Sequence, residues 1–277
     1  MECILASGMI TSSLGLREVP HLTAPAGLEQ LARGIRHEVF PSISPIPFLF
    51  IPGVKNRMQG PDDFQAMDMM RGEETEAAAL LEELEPDGLE PDSSYLLVLP
   101  GSHTKFAAVR QRQIAGCLTT LTGELLSVLT KHTLWADTLG KQFAAPQTYR
   151  KDMVLLGYET ARSSGLARAA FAVRILGTQA GKTPEEAASY LLGAVLEQDL
   201  RALKSAGAML GITERTQVIL SGKEIFRQGF YDILRAEGSF RNLLAREPDA
   251  NMPLAARGAL AIYSRWKELE NIESAED

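Results

Sequence analysis

Tyr95-Leu96-Leu97-Val98-Leu99-Pro100-Gly101-Ser102-His103-Thr104-Lys105 is the stretch on which the reading of the fold turns. Its first part is a continuous apolar run of strand length, and Pro100-Gly101 stops it. A second strand is expected over Lys105 to Arg110 and a third around Ile114 to Thr119, which together make an antiparallel meander. A helix is expected from Gly123 to Leu129.

Upstream, Cys3 to Ala6 is a short buried strand entering a tight loop at Ser7-Gly8. Gly27 to Ile35 suggests a short helix, and Phe48 to Ile51 a strand ending at Pro52-Gly53. Lys55 to Asp68 is polar and reads as a loop. Ala77, Leu80, Leu81 and Leu84 share one helical face, in a helix beginning near Gly72-Glu73-Glu74. Glu85 to Asp92 is a Pro/Gly/acid segment without periodicity and marks the expected domain boundary, which separates 1–92 from 93–277.

Downstream the chain is mostly helical. Thr183-Pro184-Glu185-Glu186 combines an N-cap threonine, a proline in the first turn and a glutamate at the third position. Gln217 to Leu220 is a strand stopping at Ser221-Gly222, and a helix follows from about Glu224 to Glu237. A last helix carries Leu254, Gly258, Ile262, Trp266 and Leu269 on one stripe. Strand–turn–helix units with antiparallel strands give an α/β class with a mixed sheet, and there is no internal repeat.

Composition narrows the function. The 277-residue chain is 45% hydrophobic and 23% charged, with net charge -7 and no basic run, which argues against nucleic acid as the main partner. Mean hydropathy is -0.05. The most apolar stretch, Ile43 to Val54, is broken by Pro45, Pro47 and Pro52 and is too short to span a bilayer, so no membrane partner is expected. Cys3 and Cys117 are far apart in sequence and fit structural thiols in a reducing compartment. The start, Met1 to Ala6, lacks the basic and long apolar regions of a signal peptide, and a cytoplasmic location is expected.

Several segments could carry chemistry. In the turn Gly101-Ser102-His103-Thr104-Lys105, backbone N–H groups can form an anion-binding concavity, with hydroxyl donors and a lysine charge beside it. The same turn also reads as an ordinary hairpin with a surface lysine, and it is not a Walker A loop. His103 could act as an acid or base, or as a hydrogen-bonded structural residue. Arg71-Gly72-Glu73-Glu74-Thr75 places acids where a helix dipole favours them; alternatively, one Glu accepts a hydroxyl proton while Arg71 grips an anion in bidentate fashion. Ser7-Gly8-Met9 and Ser221-Gly222 both follow strands, where α/β sheets gather ligands, although each is also simply a turn. Gly258 permits close approach of a backbone or a ligand. No residue is singled out as a metal ligand, and nothing in the sequence fixes an oligomeric state.

Taken together and in order, Ser7-Gly8-Met9-Ile10, Pro25-Ala26-Gly27, Ile51-Pro52-Gly53-Val54, Met70 to Thr75, Leu99 to Lys105, Leu121 to Leu125 and Leu191-Leu192-Gly193 resemble one family. It is that of the 2-keto-3-deoxygalactonate kinases, in the sugar-kinase/actin-like ATPase superfamily. Met70 to Thr75 and Leu99 to Lys105 are the specific pieces. The resemblance implies a two-domain ribonuclease-H-like fold with ATP and Mg²⁺ in an interdomain cleft. It implies phosphorylation of the sugar acid 2-dehydro-3-deoxy-D-galactonate at its 6-hydroxyl. Residues 1–92 would form the substrate-side domain, with Ser7, Gly8, Met9 and Arg71 on the sugar acid and Glu73 or Glu74 as catalytic carboxylate. Residues 93–277 would form the nucleotide-side domain, with Gly101 to Lys105 as second phosphate loop and Ser221, Gly222 and Gly258 on the adenosine side.

Two departures from the family pattern stand out. Phe106 occupies a position where Trp is usual. The Asp-x-Gly-x-Thr-x-x-Arg phosphate loop that opens the family is absent from this sequence, so the N-terminal domain is expected to be truncated. A second function reading follows from that absence: a non-catalytic remnant that binds the sugar acid or a protein partner.

Overall fold

Where Pro100-Gly101 interrupts the apolar run, strand β7 (Ser94–Leu99) does end, and the chain returns as β8 (Thr104–Arg110) and β9 (Gln113–Thr120). Connections this short can only join antiparallel strands. The chain is seen in a computed structural model that describes residues 3–58, 60, 63–84, 94–247, 249 and 251–276. Among them the fold is mixed α/β, with eight α-helices and three sheets. Two compact units divide the chain: Met1–Leu97 with Ala107–Leu118 and Pro248–Asp277, and Val98–Phe106 with Thr119–Glu247. The segment Glu85 to Asp92, read above as a boundary, lies outside the described residues.

The meander belongs to a five-stranded sheet of order β11-β10-β7-β8-β9, completed by β10 (Gln217–Leu220) and β11 (Leu243–Ala245). The last two are parallel, Val218 opposite Leu243, and helix α7 (Glu224–Glu237) makes the crossover between them. The apolar runs of β7 and β10 are buried on both faces, as interior strands should be.

In the first unit, β1 (Ile4–Ala6) lies parallel to β4 (Ser44–Phe50), which pairs on its other side with antiparallel β3 (Arg36–Phe40). β4 begins earlier than the run Phe48 to Ile51 suggested, and it contains Pro45 and Pro47. Both are tolerated because β1 pairs only with Phe48 to Phe50, which leaves the proline half of β4 as an edge. A second small sheet joins β2 (Leu22–Thr23), β5 (Val54–Lys55) and β6 (Met69–Met70). Helix α1 (Leu28–Arg33) follows β2, and helix α2 (Glu73–Leu84) follows β6 directly, burying Ala77, Leu80 and Leu81. The last helix, α8 (Leu254–Glu276), crosses α2 at Gly258, where any side chain would overlap the Thr75 carbonyl. Close backbone approach is thus what this glycine provides.

In the second unit, α3 (Thr122–Lys131) follows β9, and α4 (Lys151–Ser164) and α5 (Leu166–Thr178) pack on α6 (Pro184–Ala206). The α6 start carries the expected capping box: Thr183 Oγ1 accepts from the Glu186 N–H at 3.3 Å, and Glu186 Oε2 accepts from the Thr183 N–H at 3.0 Å. Gly157 and Gly193 mark the crossing of α4 and α6, because a Cβ on either would overlap the other helix's backbone. α6 is buried on nearly every side, so it serves as the core helix of this unit.

Candidate active site

The site residues read from sequence fall into two clusters, one in each unit. In the first unit, the Ser7-Gly8-Met9 loop opens a short 3₁₀ helix, Gly8–Thr11, directly after β1. Gly8 and Gly72 both have positive φ, +79° and +115°, and stand back to back, with a Cβ on Gly72 reaching within 3.4 Å of the Gly8 Cα. The structure therefore brings Ser7, Gly8 and Met9 together with Arg71, Gly72, Glu73 and Glu74. The Arg71 guanidinium is the clasp. Its Nη1 donates to the Thr11 carbonyl and hydroxyl, both at 2.6 Å, and its Nη2 to the Val19 carbonyl at 2.8 Å and His21 Nδ1 at 3.1 Å. The fork that could have gripped a ligand anion closes here on the chain's own loop.

Glu73 and Glu74 both fold back over the start of α2. Glu73 Oε2 accepts from the Arg71 N–H at 3.1 Å, and Glu74 Oε2 from the Gly72 N–H at 2.7 Å. Their surroundings differ sharply. Glu74 is fully buried, and burial, reinforced by the Glu73 charge, pushes its carboxyl up to about 8. Among the described residues its Oε1 has no hydrogen-bond partner. Glu76, two positions further into the helix, is pushed up to about 7 by burial and then by Glu73. Glu73 is only half-buried. His21 is held down to about 4 by burial, then by Arg71 and Lys55, so it stays neutral and accepts from Arg71 at Nδ1.

In the second unit, Gly101, Ser102 and His103 form one wall of a cavity of about 520 Å³. The start of α3 locks this wall in place. The Glu124 N–H donates to the Ser102 carbonyl at 3.0 Å, and Gly123 has no room for a Cβ against the Gly101 carbonyl. His103 Nε2 lies 3.0 Å from Glu124 Oε2. Gly222, at φ +79°, packs on Pro100, where a Cβ would meet the Pro100 carbonyl at 2.9 Å. Ser221 N–H donates to the Val98 carbonyl at 3.1 Å. Lys223, Ile225 and Phe226 continue from that turn into the opposite wall, and Phe143 lies against it with the Lys131 ammonium 4.9 Å above its ring.

Three members of the expected set stand elsewhere, among them Thr104, which is fully buried against Thr122 and does not line this cavity. Lys105 does not line this cavity: strand alternation places it on the face opposite Thr104, nearly buried, with its ammonium 2.7 Å from Thr119 Oγ1. Gly258 lies in the first unit, against Thr75. Conversely, the sequence reading did not assign Gly123, Glu124, Lys131, Phe143 or Lys223 to a site. A Thr-Gly-Glu helix start immediately after a strand was the available signal for Gly123 and Glu124. For Lys131 and Phe143 the sequence offers none. Among the described residues no group of three or more His, Cys, Asp or Glu side chains could hold a metal ion.

The Gly101 to His103 turn beside its cavity and the carboxylate-rich start of α2 are the two candidate site features. The chain belongs to the 2-keto-3-deoxy-galactonokinase family, whose model matches residues 2–255, and it is a phosphotransferase of that kind. A relative in Rhizobium meliloti (strain 1021), named "Probable 2-dehydro-3-deoxygalactonokinase", is 26% identical over 266 residues, covering 95% of this chain and 78% of its own. The 2-dehydro-3-deoxygalactonokinase of Escherichia coli (strain K12) is 30% identical over 131 residues, 47% of this chain and 38% of its own. The fold is similar to a crystal structure from Sinorhizobium meliloti described as a "putative 2-dehydro-3-deoxygalactonokinase protein". Its TM-score is 0.71 at 22% identity, over 95% of this chain and 78% of that one. Among the described residues no helix is long and apolar enough to cross a membrane.

Proposed function

We propose that the chain transfers the γ-phosphoryl group of ATP to the 6-hydroxyl of 2-dehydro-3-deoxy-D-galactonate, as a cytoplasmic enzyme of sugar-acid breakdown. The observation that carries this reading is the cavity walled by Gly101, Ser102 and His103, because its volume of about 520 Å³ and its turn of backbone donors suit a nucleotide. Lys223 and Lys131 supply positive charge there, and Phe143 an aromatic face for the base. Ser221 and Gly222 shape the adenosine side by fixing Pro100. Lys105, outside this cavity and held at Thr119, makes no direct contact with the nucleotide in this reading. The sheet order, a meander extended by two parallel strands joined through a helix, supports a ribonuclease-H-like assignment.

In the first unit, the Ser7-Gly8-Met9 loop contacts the sugar acid, and Arg71 positions that loop. Glu73 accepts the 6-hydroxyl proton as the phosphoryl group departs from ATP; Glu74, sealed and protonated at neutral pH, supports the turn. Mg²⁺ would arrive with the nucleotide, held by phosphate oxygens and water, and supply charge neutralisation. A coupled assay of ADP release with ATP and the keto-deoxy acid tests the reading, together with separate calorimetric titration of each ligand. Saturable binding of both with turnover is expected. Binding of the sugar acid without any ATP-dependent turnover would replace the kinase by a sugar-acid binding protein.

A further inference from the structure

Asp199 is a carboxylate with no task in the reaction described above. It lies on α6, 2% exposed, beneath the Gly101 to Lys105 turn. Thr122 Oγ1 donates to its Oδ2 in a short hydrogen bond. Thr122 Oγ1 lies in turn 2.6 Å from Thr104 Oγ1 and 3.2 Å from Thr120 Oγ1. Burial pushes the carboxyl up to about 6, while the hydroxyls of Thr122, Thr120 and Thr104 oppose that rise.

A hydroxyl has one proton, and an ionised carboxylate only accepts. With the Thr122 proton committed to Asp199, the Thr122 oxygen must accept from Thr104. The direction of the chain is therefore set from its buried end. Thr104 is the base of the phosphate turn, and Thr122 begins the helix whose next two residues, Gly123 and Glu124, hold Gly101 and Ser102. Both anchors of the turn thus meet at Thr122.

We propose that Asp199 is a positioning residue for the nucleotide: it orients the Thr122–Thr104 hydroxyl chain and so holds the turn's N–H groups ready for phosphate. The inference rests on reading that turn as the ATP-phosphate loop. Preorganised donors lose less on binding than donors that must be ordered by the ligand.

Steady-state kinetics of Asp199→Asn, Thr104→Val and the double variant test it, alongside Thr122→Val and Thr122→Ser. Asparagine keeps the shape and one acceptor oxygen but removes the acceptor-only charge that fixes the direction of the Thr122 proton. KM for ATP should rise about tenfold in Asp199→Asn, with KM for the sugar acid within about twofold. The double variant should be no worse than its worse parent, because both break one chain. Thr122→Ser should behave as wild type and Thr122→Val as Asp199→Asn, which decides the matter even if Asp199→Asn fails to fold. An unchanged KM for ATP, an equal rise in both KM values, or multiplying effects in the double variant would overturn the proposal. If the unmodified chain shows no saturable ATP binding by calorimetry, the loop reading itself fails. If it binds ATP and Asp199→Asn binds it equally well, only the role of Asp199 fails.

Discussion

Glu73 and Glu74 are adjacent acids at one helix start, and the chemistry available to each is set by what covers it. Glu73 keeps access to solvent, whereas Glu74 is sealed. Glu73→Gln should therefore lower kcat by about 10²-fold or more, the usual range for a general base, and change KM for ATP by less than about threefold. A comparable loss in both parameters would place Glu73 in binding instead. Glu74 makes a different prediction. Its folded pKa, about 8, exceeds the 4.5 of the unfolded chain, so the folded state holds the proton more tightly. The stability it contributes is complete below pH 4.5 and is lost as pH rises through 8, at up to about 1.4 kcal/mol per pH unit. Glu76 acts with the same sign, and His21, depressed to about 4, with the opposite slope between pH 4 and 6.5. Glu74→Gln should flatten the decline in denaturant midpoint between pH 5 and 8 relative to wild type; parallel curves would contradict the assignment.

The elements legible in the sequence were those with a physical signature at both ends. β10 and α7 fall on the residues expected, since an apolar run, a Ser-Gly stop and an amphipathic helix follow one another without ambiguity. The α6 capping box was equally plain. The two-residue strands β2, β5 and β6 were not, because two residues carry no periodicity and their pairing is decided by distant partners. The side of the sheet on which Lys105 ends was hidden for a related reason: it depends on where Thr104 points, and that is set by Asp199 and Thr122, far away in sequence. Two predictions belong here. Gly258→Ala should destabilise the protein by about 3 kcal/mol or more through overlap with the Thr75 carbonyl, read as a drop in thermal midpoint, and should disturb the start of α2 beside Glu73. The β8–β9 turn places Gln111 and Arg112 at φ +47° and +60°, the conformation that Asn-Gly adopts without strain. The Gln111→Asn/Arg112→Gly double variant should gain about 0.5–1 kcal/mol in chemical denaturation.

At the scale of the molecule, motif order along the chain pointed to the family before any contact was known, while each motif alone was no more than a turn. Gly101 to His103 became a candidate site only when Gly123, Lys223 and Phe143 closed a cavity around it. Ser7 to Met9 became part of a second candidate only when Gly72 stood behind Gly8. The division of labour between the two units, sugar acid in one and nucleotide in the other, is the central claim. Its most direct measurement is ADP release with ATP and 2-dehydro-3-deoxy-D-galactonate, comparing the unmodified chain with Gly123→Val, whose side chain must displace Gly101. ADP formed in step with phosphorylated sugar acid by the unmodified chain, and a fall of about 10²-fold in Gly123→Val with sugar-acid binding intact, is the predicted result. No ADP release by the unmodified chain, or equal release by Gly123→Val, would contradict the account.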